Sequence, residues 1–82
     1  MTVVFSEIAW ADFLVLSRDR RLLKRVNQLI GDILRGGNSG IGKPERLVGD
    51  MSGFWSRRID DQHRLVYRLT EGGVEIIQCL GR

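Results

Sequence analysis

The chain has 82 residues, 43% hydrophobic and 28% charged, the composition of a single folded domain over 1–82 with no room for a second core. Thirteen Lys and Arg against ten Asp and Glu give a formal charge of +3, which points mildly toward polyanionic partners. No apolar run reaches the ~18 residues of a membrane span, no secretory signal opens the chain, and the lone Cys79 excludes a disulfide framework. The expected setting is therefore the reducing cytoplasm, with no membrane partner.

Eleven of the thirteen bases are arginine. Arginine offers a planar fork that grips phosphate in two places, although a GC-rich genome produces the same bias.

Thr2 to Phe5 is β-branched and aromatic and reads as a first strand. Ser6 followed by Glu7 predicts a helix cap, with the helix running to about Leu16 and Trp10 placed in the core by its helical spacing. Asp19 caps a second helix in which Leu22, Leu23, Val26, Leu29, Ile30, Ile33 and Leu34 recur at three- and four-residue steps. Gly36-Gly37 ends it. Four of the ten glycines fall between Gly36 and Gly42, marking a loop that Pro44 closes. Beyond Gly53 the pattern turns to strands: Phe54 to Ile59, Arg64 to Leu69 and Val74 to Leu80, the last two joined by a Glu71-Gly72-Gly73 turn. The expected fold is α+β: strand–helix–helix–three strands, an antiparallel sheet with two helices packed on one face.

The chemistry-bearing residues gather in the second half. Glu45 follows the glycine loop with Lys43 and Arg46 on either side, and Arg57, Arg58, Arg64 and Arg68 lie on or beside strands. Side chains alternate along a strand, so Arg64, Val66 and Arg68 share one face and Leu65, Tyr67 and Leu69 the other. The apolar set packs on the helices, which leaves Arg64 and Arg68 on the open face. An odd β-hairpin loop, Asp60 to Gln62, puts Arg58 on that face as well; an even loop puts it on the opposite one. Trp55 is a candidate base-stacking surface.

RNA cleavage without metal needs a base for the ribose 2′-hydroxyl, cations for the phosphorane charge and a proton for the departing 5′-oxygen. Glu45 suits the first task, and Arg58 and Arg64 the second. Lys43, Arg46, Arg57, Arg68 and Trp55 are candidate substrate contacts. His63, the sole imidazole, sits at a hairpin end facing away from Arg64 and reads as structural. One His, one Cys and scattered carboxylates give no ligand spacing, so neither metal nor cofactor is expected. Gly40-Ile41-Gly42-Lys43 lacks the spacing and hydroxyl of a Walker loop, and neither Ser52 nor Ser56 has a His/Asp partner pattern.

Three blocks carry a family resemblance: Gly42-Lys43-Pro44-Glu45, Ser52-Gly53-Phe54-Trp55-Ser56-Arg57-Arg58-Ile59 and His63-Arg64-Leu65-Val66-Tyr67. Together they resemble the YoeB branch of the RelE-type toxins, ribosome-dependent mRNA endoribonucleases. The resemblance implies attack of the 2′-hydroxyl on the adjacent phosphate in the ribosomal A site of the 70S ribosome. It implies Glu45 as general base, Arg64 as phosphate ligand and Arg58 as supporting cation. It further implies a YefM-type antitoxin, a homodimer or toxin–antitoxin hetero-oligomer, and operator DNA bound only through that complex. Arg46 stands where the family often has proline. The family's usual ending carries a His-Tyr pair whose histidine serves as acid. This sequence stops at Cys79-Leu80-Gly81-Arg82 with neither residue, the tail being either outside it or missing from the protein, so the acid is left unassigned. The alternative is a non-catalytic toxin that blocks the ribosome or a topoisomerase.

Overall fold

A computed structural model describes residues 1–81. β1 (Thr2–Phe5) leads into α1 (Glu7–Leu16) and α2 (Arg20–Gly36); β2 (Glu45–Arg46), a short 3-10 turn at Gly49–Met51, β3 (Trp55–Arg58), β4 (Arg64–Thr70) and β5 (Gly73–Gln78) follow. Both helix starts are capped as their sequences predict. Ser6 Oγ accepts the Ala9 N–H at 3.0 Å, and Asp19 Oδ1 accepts the Arg21 N–H at 2.8 Å. At the far end of α2 the Gly37 N–H returns to the Ile33 carbonyl at 2.8 Å.

The sheet order is β1-β5-β4-β3-β2. The three-strand meander is antiparallel as expected, and β2 adds a fourth antiparallel strand that its two residues were too short to announce. β1 pairs with β5 in parallel, which makes the sheet mixed: a long connection through both helices and the other strands separates the two in sequence, so no hairpin forces them antiparallel. Between Val66↔Gln78 and Tyr67↔Ile76 the register shifts, leaving Ile77 as a bulge. Its carbonyl is used: Ser6 Oγ donates to it at 2.8 Å.

Leu29, Ile33 and Val26 of α2 pack on Leu65, Tyr67, Val74 and Ile76 of the sheet, with Ala9 and Leu16 of α1 completing the buried cluster. α1 uses its apolar residues differently from α2. Ile8, Trp10, Leu14 and Val15 remain about half exposed, so Trp10 is a surface residue and not the core residue its spacing suggested. It stacks on Phe13 at 5.7 Å and meets Phe5 edge-on. Asp12, buried on the inner side of α1, accepts the Cys79 N–H at 3.0 Å and ties the helix to the segment after β5. No helix of the described residues is long and apolar enough to cross a membrane.

Candidate active site

The β3–β4 register decides which arginines meet. Arg58 pairs with Arg64 across the ladder, and the Ile59 and Asp60 N–H groups both reach the His63 carbonyl, which leaves the odd loop Asp60–Gln62. Arg58 and Arg64 therefore share the face turned away from the helices. One step along, Glu45, Ser56, Val66 and Gln78 form a row across four strands on that same face.

Arg64 is fixed within this row. Its Nη1 donates to Ser56 Oγ at 3.1 Å and reaches Glu45 Oε2 at 3.4 Å. Ser56 is buried, whereas the Arg64 and Glu45 side chains are 49% and 65% exposed, so both charged groups can meet a ligand. Arg58 forms an ion pair with Asp61, and its Nε donates to the Asp60 carbonyl at 3.3 Å. Asp60 in turn builds the turn: its Oδ1 accepts the Gln62 and His63 N–H groups at 2.9 and 2.8 Å. Burial pushes the Asp60 carboxyl up, but those two backbone donors outweigh it and hold it below its ordinary value of 3.8.

A cavity of about 330 Å³ opens here, lined by Arg58, Arg64, Ser56, Gln78, Leu80 and Gly81 among others. Glu45 is not among the lining residues; it touches Arg64, which is. A larger, shallower groove of about 540 Å³ lies along α2 between Arg20, Lys24, Asn27 and Arg35. Its lining holds no carboxylate, hydroxyl or thiol.

Other sequence candidates lie elsewhere. Arg57 is fully buried. Its guanidinium pairs with Asp32 at 2.5 Å, donates to the Gly37, Ser39 and Ile41 carbonyls, and its Nε donates to Tyr67 Oη at 3.2 Å. Every donor has a partner inside the protein, so Arg57 is withdrawn from the substrate contacts. The glycine loop exists to close over it: Gly40 has φ +135°, and a Cβ there would fall 1.9 Å from Asp32 Oδ2. Arg46 and Trp55 are register partners in the row of Tyr67, on the helix-side face opposite Glu45, and Trp55 packs against the core. Neither faces the cavity.

Arg68 keeps the open face that alternation predicted, but its Nε is bound to Glu75 at 2.6 Å and its guanidinium lies over Phe54. It does not line the cavity. Lys43 is exposed on the loop entering β2 with φ +51°, a conformation unusual for a side-chain-bearing residue. Ser56 and Asp61 are the positioning groups that residue-type reasoning missed. The odd register would have found Ser56, because it puts that hydroxyl on the face of Arg58 and Arg64.

A family model for the YoeB-like toxin of bacterial type II toxin–antitoxin systems matches residues 5–81. The chain belongs to that family. It is 53% identical over 79 residues to Toxin YoeB of Mycobacterium bovis, covering 95% of this chain and 93% of that one. Among solved structures, the YoeB/ParE toxin from Agrobacterium tumefaciens superposes with a TM-score of 0.95 at 42% identity, covering 100% of this chain and 99% of that one. The heterotetrameric YoeB–YefM toxin–antitoxin complex from Staphylococcus aureus gives 0.94 at 36% identity, covering 100% and 97%. The chain is thus a toxin of YoeB type with the RelE-like α+β fold. Among the described residues no cluster of His, Cys, Asp and Glu could hold a metal ion.

Proposed function

We propose that this toxin cleaves mRNA in the A site of the 70S ribosome, in the cytoplasm, by attack of a ribose 2′-hydroxyl on the neighbouring phosphate. The observation that carries the reading is the placement of Glu45, Arg64 and Arg58 on one open sheet face, where the two arginines line a cavity and Glu45 touches Arg64. Glu45 takes the 2′-hydroxyl proton, Arg64 binds the phosphate, and Arg58 adds positive charge as the phosphorane forms. The P–O5′ bond then breaks to leave a 2′,3′-cyclic phosphate, and the departing 5′-oxygen takes a proton from water. Both arginines are paired with carboxylates in the free protein, so an entering phosphate exchanges places with Glu45 on Arg64 and with Asp61 on Arg58. Glu45, once displaced, is free to act as the base. Lys43 and Arg68 extend the positive surface on either side.

An antitoxin of YefM type neutralises the toxin. The pairing of a similar toxin with YefM in the S. aureus heterotetramer supports this, as it supports a hetero-oligomer or a homodimer for this chain. Operator DNA is bound through that complex and not by the toxin itself.

The deciding experiment is primer extension on translating ribosomes with wild type and Glu45→Gln. Discrete cuts that disappear in the variant support the mechanism. Arrest with intact mRNA would instead mark a toxin that binds without cutting.

A further inference from the structure

His63 lies outside the lining of the phosphate cavity, yet its side chain is committed to a segment that forms part of that lining. Its Nδ1 accepts the Gly81 N–H at 2.9 Å. An imidazole nitrogen that accepts carries no proton, so the neutral ring holds its hydrogen on Nε2. The wall segment also packs too closely on the hairpin turn for any side chain: a Cβ on Gly81 would fall 1.9 Å from the Gln62 carbonyl oxygen. Leu80 and Gly81 line the same cavity as Arg58 and Arg64. Beyond β5 the chain has no ladder to hold it there, because β5 ends at Gln78. Cys79 is tied to α1, its N–H donating to the Asp12 carboxylate and its thiol to the Ala9 carbonyl, Leu80 packs against the core, and His63 holds the Gly81 N–H.

We infer that His63 is a positioning residue, whose imidazole pins residues 80–81 to the β3–β4 turn and so keeps that part of the cavity wall at working distance from the two arginines. The turn is itself stiff, since the Asp60 carboxylate holds the Gln62 and His63 N–H groups. The link thus joins a rigid hairpin to the chain that leaves β5 beyond the last ladder pair. His63 then acts by geometry and moves no proton. The effect on cleavage rests on the function proposed above; the link itself does not.

The test uses the ¹⁵N-labelled full chain as wild type, His63→Ala and His63→Asn. Asn carries an acceptor oxygen at nearly the position of Nδ1. In His63→Ala the Gly81 amide should exchange with solvent about fivefold faster, the worth of one neutral hydrogen bond. Cleavage on programmed ribosomes should weaken about three- to tenfold, mainly through KM. His63→Asn should restore both. Unchanged Gly81 exchange in His63→Ala overturns the inference, as does faster exchange with undiminished cleavage. Restored exchange without restored cleavage in His63→Asn would assign the ring a chemical role and also overturn it. Should the wild type cut no mRNA, the proposed function falls and the exchange rates decide the link by themselves.

Discussion

Arg58 and Arg64 stand directly opposite each other across β3 and β4, two like charges on one face of a sheet. Such a pair is unfavourable in a ladder, and each member is held by its own acid, Asp61 for Arg58 and Glu45 for Arg64. The arrangement gives up stability for a concentrated positive field where a phosphate can enter.

Removing one charge should therefore separate stability from activity. Arg64→Ala should lower ribosomal cleavage by roughly 10²–10³-fold, the usual loss for a group that stabilises transition-state charge. Its unfolding free energy from chemical denaturation should stay within about 0.5 kcal/mol of wild type, because the side chain is half exposed. A large fall in stability would mean that Arg64 holds the fold and not the substrate.

Asp61 competes with the substrate for Arg58. Asp61→Asn should raise affinity for a 2′-deoxy-blocked RNA about two- to threefold, and should steepen its dependence on salt. Fluorescence titration at two ionic strengths reads both effects. Weaker binding would show that Asp61 orients Arg58 instead of occupying it.

Arg57 belongs to the fold. Lysine cannot reproduce a fork that serves Asp32, three loop carbonyls and Tyr67 at once. Arg57→Lys should lower the thermal midpoint by about 10 °C in a domain of this size. Scanning calorimetry at pH 7 measures it, and a shift under about 2 °C would contradict the bonding described.

Acid should loosen the same loops. The Arg57 side chain, followed by the Ile41 N–H, holds the Asp32 carboxyl below its ordinary value of 3.8, and Asp60 is held low by its turn. A carboxyl depressed by folding contributes its stability fully above its unfolded value and loses it as pH falls through the folded value. These two contributions should be complete above about pH 5 and decline below about pH 4. Urea midpoints from pH 7 to pH 3 should fall less steeply for Asp60→Asn than for wild type, and equal slopes would remove Asp60 from the effect.

The order and type of the main elements were legible because local signals and periodicity agree: Ser6 and Asp19 cap, and the α2 spacing is regular. The shared face of Arg64 and Arg68 followed from alternation. What could not be read depended on partners distant in sequence. Arg57 and Arg58 are adjacent and identical in type, yet one is enclosed by Asp32 and the glycine loop while the other faces the cavity. Arg46 looked like a neighbour of Glu45 until β2 formed and turned the two to opposite faces. Trp10 followed a helical pattern that cannot show which side of α1 the core leaves uncovered.

The parallel β1–β5 pair ties the fold to the direction of synthesis. β1 is made first, but its ladder partner comprises residues 73–78, and Ser6 and Asp12 bond to residues 77 and 79. A growing chain carrying β1, both helices and even β3 still lacks the strand that closes the sheet and the wall that completes the cavity. Biosynthesis thus delays the folded toxin until almost all of the described chain has been made, and an unfinished copy has neither the complete sheet nor the complete cavity.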